Sequence, residues 1–485
     1  MPRTTTPTDT NDRTNSRARQ ADRARLAALS PVDQDLIRIA NAPGFRRWVE
    51  QIRATGGCEH PIYLAGSTVT RDTSGTVVHA YSTADEPGGR LAVRCRNRRA
   101  SRCAPCSYEH QGDTFHLVRA GLVGGKSVPA VVRDHPRLFV TLTAPSFGPV
   151  HRATTDGPCR PRRAGSLCEH GRHRGCPLTH SPDESVIGQP LCRACYDYPH
   201  HVLWNAHVGE LWDYFTHAVR RRLASAAGIP RSRLREHLRV SFAKVAEYQA
   251  RGAVHLHAVL RLDGPDGPDS PPPDWASDDL LVALVPEAAA AVRVSAPASE
   301  ALGSYVLRWG RQLDVRPLRA CNDGRELTDD AIAGYLAKYV TKSTVAGGGT
   351  DTRITHRSTI DLLPVTDHVR ALLRASWDLG GLPELAHLRI RPWAHTLAFR
   401  GHCLTKSRAY STTYRALRAA RADHQRSDDD AGPGDAGVLT LATWRFAGHG
   451  HTPGQAEIAA GVAEDLVRQR EIVRQERALG HTWAP

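Results

Sequence analysis

Residues 244–262 read KVAEYQARGAVHLHAVLRL. From Ala253 to Leu262 apolar and polar positions alternate, the period of a strand with one buried face. Leu256, Ala258, Leu260 and Leu262 fall on that face, so His255 and His257 share the other. The preceding segment, Leu238 to Gln249, reads as a second strand. Ala250-Arg251-Gly252 between the two is a three-residue hairpin loop, its glycine supplying a left-handed conformation. That loop pairs Gln249 with Ala253, Tyr248 with Val254 and Glu247 with His255. Opposed residues point to the same face, so a carboxylate is expected beside two imidazoles. One carboxylate and two histidines suit Mg²⁺ or Mn²⁺, with positions left for phosphate oxygens. The plainer alternative is an exposed strand carboxylate beside two structural histidines; His449-Gly450-His451 shows that such pairs also arise elsewhere in a chain with 25 histidines.

Outward from the hairpin, LFVTLT (138–143) is a strand with Leu138, Val140 and Leu142 on one side and Phe139, Thr141 and Thr143 on the other. Val202 to Ala226 has helical spacing. AIAGYLAKYVTKS (331–343) follows Thr328-Asp329-Asp330, an N-cap with acidic first-turn residues, and marks a helix over 329–343. Tyr335 and Tyr339 are four residues apart and share a face; Lys338 and Lys342 each follow a tyrosine by three residues on an adjoining stripe. A phenol is a poor nucleophile near its free pKa of about 10. A neighbouring ammonium and a metal that polarises a phosphodiester would together make it useful. Read alone, the same helix is an aromatic pair packed on a core with snorkelling lysines.

The chain has 485 residues, room for about three domains on the usual length prior, and a net charge of +14. Such basic character favours polyanionic partners, nucleic acid first. Only five of the 64 basic residues are lysine (Lys126, Lys244, Lys338, Lys342 and Lys406), and two of these sit in the tyrosine helix. The longest apolar stretch, Leu280 to Val294, is broken by Pro286 and Glu287, and the N-terminus carries no apolar signal segment. The expectation is a soluble, cytoplasmic protein with no membrane partner. No Gly-x-x-x-x-Gly-Lys-Ser/Thr phosphate loop is present.

Eleven cysteines clustered at short spacings in a reducing compartment point to metal rather than disulfides. Two Cys-x-x-Cys knuckles, Cys103–Cys106 and Cys192–Cys195, have earlier partners. Cys58, Cys95, Cys103 and Cys106 form one candidate structural Zn²⁺ site. Cys159, Cys168, His170 and Cys176 compete for the second, for which Cys168, Cys176, Cys192 and Cys195 are the chosen set. Arg94, Arg96, Arg98, Arg99 and Arg102 crowd the first knuckle, where a zinc-fixed loop would present guanidinium groups to DNA. Lys406 and Arg408, in TKSRAYS (405–411), are candidate backbone contacts.

Together, LFVTLTAPS, the His-x-His with Glu247 eight residues upstream, and Tyr-x-x-Lys-Tyr-x-x-Lys some eighty residues later resemble the HUH endonuclease superfamily. Within it the chain looks like rolling-circle replication initiators, with a two-tyrosine helix after the histidine pair. CRNRRASRCAPCSYEHQGDTF, LCRACYDYPHHVLWNAHVGELW and GHCLTKSRAYSTTYRALR extend the resemblance to replication initiators of actinobacterial plasmids and integrative elements, over roughly residues 55–425. The resemblance implies an α+β fold with a central antiparallel sheet carrying the histidines and flanking helices presenting the tyrosines. It also implies Glu247, His255 and His257 as metal ligands, Tyr335 and Tyr339 as nucleophiles, and Lys338 and Lys342 as phosphate contacts. The activity implied is nicking of one strand at a replication origin, through a 5′-phosphotyrosyl link and a free 3′-OH. Partners would be single- and double-stranded origin DNA, with a host helicase and polymerase. An HUH transposase or relaxase, or a non-catalytic zinc-dependent regulator, are the alternatives. Single-tyrosine plasmid initiators carry a glutamate four residues before the tyrosine; here Tyr335 holds that place before Tyr339. The expected division is a disordered basic tail (1–40), a zinc-knuckle region (41–135), a nuclease domain (136–345) with a zinc-binding insertion (150–200), and a mostly helical C-terminal region (346–485).

Overall fold

The computed structural model describes residues 24–161, 166–318, 328–341, 349–427 and 439–481. Lys342 and most of the expected tail lie outside them. The strands, in chain order, are β1 Ile62–Arg71, β2 Val77–Ser82, β3 Leu91–Val93, β4 Arg137–Leu142, β5 Arg239–Tyr248, β6 Val254–Asp263, β7 Val294–Ser295, β8 Val306–Leu307, β9 Leu313–Pro317, β10 Leu404–Lys406 and β11 Leu439–His449. The fold is mixed α+β and divides into two compact units, 1–110 with 430–485, and 111–429.

In the first unit, β1 pairs antiparallel with β2 and β3 on one side and with β11 on the other. Two short helices, Pro31–Ala40 and Phe45–Ala54, supply part of its small core, including Trp48 and Ile52. The first helix corrects the expected disorder up to residue 40. Ser30 caps it, its hydroxyl accepting from the Asp33 amide at 3.1 Å, and Pro31 sits where a missing N–H costs nothing. β11 is the long strand within an otherwise mostly helical C-terminal region: LTLATWRFAGH is rich in Thr and aromatic residues, which favour a pleated surface. The last helix, Pro453–His481, is where the pattern put it.

The second unit is built on a five-stranded antiparallel sheet in the order β10-β5-β6-β4-β9. The β5–β6 hairpin closes as its loop length requires: the Gln249 amide donates to the Ala253 carbonyl at 2.9 Å and Gly252 takes φ +82°. The register places Glu247 opposite His255 and Val245 opposite His257. One face, with Val140 and Leu256, packs on the long helix Tyr198–Ala226 through Leu203, Trp204, Leu211 and Phe215. The histidine face is also covered over much of its length. Phe139, Val245 and Val259 meet Leu117 and Leu122 of the Ala104–Val123 helix and Ile332, Leu336 and Val340 of the Asp329–Thr341 helix.

Buried charge fixes the tyrosine helix to this sheet. The Thr328 hydroxyl caps it, accepting from the Ala331 amide at 3.1 Å. Arg137, 1% exposed, donates to the Leu122 carbonyl at 2.7 Å and to Asp329 at 2.8 Å. Arg119 reaches Asp330 at 2.6 Å. Deeper in, Asp263 receives Arg261 at 2.6 and 3.0 Å, His135 at 2.8 Å and Ser241 at 2.5 Å. Every charge here has partners, without which burial would cost several kcal/mol. Among the described residues no helix is long and apolar enough to cross a membrane.

Candidate functional site

The β5–β6 register brings Glu247, His255 and His257 to one point. Glu247 Oε2 lies 3.0 Å from His257 Nε2 and 3.4 Å from His255 Nε2. The other ring nitrogens are oriented too: His257 Nδ1 is 3.1 Å from Thr141 Oγ1, and His255 Nδ1 is 3.5 Å from Gln249 Nε2. Two nitrogens and one carboxylate oxygen within 4.8 Å of one another match a three-ligand divalent site with open positions, and the Thr141 contact is the kind of outer partner that holds a ligand imidazole in place.

The tyrosine helix lies over this cluster. The Tyr335 hydroxyl is 3.4 Å from His257 Nε2. Its ring crosses His257 edge-on at 5.0 Å, while Tyr339 stacks on the same imidazole at 5.4 Å and 25°. Phe139 stacks on His257 at 5.9 Å, and the two tyrosine rings are 4.6 Å apart. His257 is 3% exposed, whereas Tyr335 is 38% exposed, so a substrate can reach the phenol. Burial, the Tyr339 hydroxyl and the carboxylates of Glu247 and Asp314 all hold the Tyr335 phenol above the ordinary range. Lys338 is exposed on the neighbouring stripe.

Nine of the ten cysteines among the described residues gather at three places. Cys58, Cys95, Cys103 and Cys106 converge. Cys58 Sγ lies 3.8 Å from Cys103 Sγ and 3.5 Å from Cys106 Sγ, close to the roughly 3.8 Å between sulfurs bound tetrahedrally to zinc. The second expected set is not brought together. Cys168, Cys192 and Cys195 meet His170, whose Nδ1 is 3.2 Å from Cys195 Sγ. Cys176 instead joins His151, Cys159 and His180, with its Sγ 3.4 Å from His180 Nε2. His180 Nδ1 in turn meets Glu184 at 2.7 Å. The bridge between Arg160 and Cys176 carries Cys176 away from the Cys192–Cys195 knuckle. Cys168-x-His170 and Cys176-x-x-x-His180 were the available signals for histidine ligands. All three clusters are compatible with structural zinc.

The arginines around the first knuckle are not one open patch. Arg94 pairs with Glu109 at 3.0 Å. Arg96 and Arg102 are exposed, while Arg98 and Arg99 are half-buried. Lys406 donates to the Ser411 carbonyl at 2.7 Å, and Arg408 is exposed. Thr141 and Asp314 were not among the expected site residues, because pairing of β4 with β6 and β9 joins segments far apart in the chain, whereas Gln249, local to the hairpin, was expected only as part of its register.

No solved structure matches the chain. The family described as "Replication initiator protein, pSAM2" matches residues 44–464. A Streptomyces ambofaciens protein named "Replication initiator protein" is 48% identical over 453 residues, covering 91% of this chain and 95% of its own length. The match runs through both units and includes the hairpin, the tyrosine helix and all three cysteine clusters, so the chain belongs to the pSAM2 family of replication initiator proteins.

Proposed function

We propose that this chain initiates plasmid replication by nicking one DNA strand at an origin, using an HUH-type site in which Tyr335 makes the first cut. The supporting observation is the Tyr335 hydroxyl 3.4 Å from His257 Nε2, at the edge of the Glu247–His255–His257 cluster. A Mg²⁺ or Mn²⁺ ion held by those three residues would polarise the scissile phosphodiester. Glu247 and the histidines position the phosphate, with Thr141 and Gln249 fixing the imidazoles. The Tyr335 oxygen attacks phosphorus and gives its proton to solvent; the bond to the 3′ oxygen breaks, and that oxygen takes a proton from water, giving a 5′-phosphotyrosyl link and a 3′-OH. That hydroxyl primes synthesis, and the link conserves the phosphodiester for later closure. Tyr339, stacked on His257, is the nucleophile for the second transfer. Lys338 meets the phosphate charge, and Lys342, outside the described residues, is assigned the same part. Zinc in the Cys58–Cys95–Cys103–Cys106 cluster holds a basic segment for binding duplex origin DNA, with Arg94, Arg96, Arg98, Arg99, Arg102, Lys406 and Arg408 among the contacts. With no phosphate-loop motif in the sequence, unwinding and synthesis fall to a recruited host helicase and polymerase.

The test is a covalent-adduct assay with single-stranded oligonucleotides tiling the DNA around the gene, in Mn²⁺, run on denaturing gels. The wild-type chain should give a denaturant-resistant adduct, abolished by His257→Ala and by Tyr335→Phe, while Tyr339→Phe still makes the first cut. An adduct that survives His257→Ala, or none at all from folded DNA-binding protein, would overturn the proposal.

A further inference from the structure

A groove of about 830 Å³ runs past the loop of the β5–β6 hairpin. Its floor is the Ala144–Pro145 turn and the loop. One wall is formed by residues 148–153 with Arg160 and Gly188, the other by residues 308–312. Arg152, Arg160, Arg251, Arg308 and Arg311 line it, and no lining residue is acidic. Trp309 is 6% exposed, and its indole N–H has no hydrogen-bond partner.

The groove adjoins the Glu247–His255–His257 cluster through Gln249. Gln249 reaches His255 Nδ1 at 3.5 Å with its amide nitrogen, and its oxygen accepts from Arg251 Nε at 2.9 Å. Arg251 is pinned to the floor through the Pro145 and Ala144 carbonyls at 2.9 and 3.2 Å. The wall belongs to the His151–Cys159–Cys176–His180 cluster: Arg152 Nε donates to the Cys159 carbonyl at 2.7 Å and Arg160 Nε to the Val150 carbonyl at 2.9 Å. The wall fits tightly against the hairpin. Gly188, at φ +83°, has the Ala250 carbonyl carbon 2.4 Å from where a Cβ would stand.

We infer that this groove seats the single strand adjoining the scissile phosphate, and that the His151–Cys159–Cys176–His180 cluster holds its wall. The inference rests on the proposed nicking activity and adds the substrate path to it. A channel of guanidinium groups without carboxylates attracts a phosphate backbone. A duplex, whose major groove alone is about 12 Å wide, does not enter a groove of this size, whereas one unstacked strand does.

Binding is measured by fluorescence anisotropy across a salt series, with the full chain, a labelled thymidine homo-oligomer and a duplex of equal length, without divalent ion. Arg308 and Arg311 are exposed, so Arg308→Glu with Arg311→Glu leaves the core untouched. Single-strand affinity should fall about tenfold or more, and the slope of log K against log salt should flatten by about 1.4, two contacts' worth. Duplex affinity should stay within about twofold, as should both affinities in a control with Arg231→Glu and Arg235→Glu, exposed elsewhere on the same unit. Unchanged single-strand affinity, or an equal loss in the control or on duplex, overturns the inference. Cys176→Ala should reproduce the selective loss if the cluster holds the wall; intact single-strand binding in that variant overturns the part assigned to the cluster. Since the readout needs no cleavage, failure of the adduct assay leaves this result standing, and the reverse.

Discussion

His368 is a histidine that the fold keeps neutral. Its Nε2 meets the Arg251 carbonyl at 3.0 Å and its Nδ1 the Tyr198 hydroxyl at 3.2 Å. Burial, with Arg193 and Arg251 nearby, lowers its pKa to about 4. His201, also buried, is pushed down the same way. In the unfolded chain both titrate near 6.5. Between those values the unfolded state binds protons that the folded state does not, so stability falls as pH drops from about 6.5 towards 4. His368 alone contributes about 3 kcal/mol to that loss. Calorimetry from neutral to acid pH should show a falling midpoint, and His368→Gln, which keeps polar groups but does not titrate, should flatten the slope. An unchanged slope would mean that other groups dominate acid unfolding. The same scale separates the tyrosines: the Tyr335 hydroxyl lies 3.4 Å from His257 Nε2 while the Tyr339 ring stacks on that imidazole, a distinction that helical spacing alone does not make.

The helix that backs the tyrosine site depends on one missing side chain. Gly121 lies in Ala104–Val123 against Tyr410, which is 0% exposed and donates to the Val118 carbonyl at 3.1 Å. A Cβ at Gly121 would stand 2.2 Å from the tyrosine ring. Gly121→Ala should therefore destabilise the chain by about 1–3 kcal/mol despite the better helix propensity of alanine. Denaturant titration checks this, and Tyr410→Phe combined with Gly121→Ala should give no relief, because the ring itself is the obstacle. Elements of this kind were the legible part of the sequence. The hairpin register follows from a three-residue loop, and the tyrosine helix from its Thr328 cap and apolar spacing. Two helix boundaries and the strand ends differ from expectation by only a few residues. The partners of each element were not legible. Thr141 and Asp314 reach the site by pairings across more than a hundred residues, which no local pattern encodes. The set Cys58, Cys95, Cys103 and Cys106 was legible, but the histidine members of the other two cysteine clusters were hidden similarly, because knuckle spacing names two cysteines and leaves the rest to the tertiary fold.

For the molecule as a whole, the three four-residue Cys/His clusters among the described residues set a count. Purified protein should contain about three zinc equivalents, measured by elemental analysis, since each cluster offers four ligands of the Cys/His type. Cys103→Ala should lower that by about one; a value near zero in folded protein would remove the metal reading. The division of the chain was the least legible feature. The sequence reads as consecutive segments, yet the first unit joins residues 1–110 to 430–485. β11 covers the full length of β1, from Ile62 opposite His449 to Arg71 opposite Leu439. Until β11 arrives, β1 is an open strand edge, a template for wrong pairing. Synthesis runs from the N-terminus, so the 111–429 unit is made while its predecessor still waits for this strand. A ribosome that stops before β11 thus leaves a polypeptide with Glu247, His255, His257 and Tyr335 already made and an unfinished sheet, a ready target for proteases.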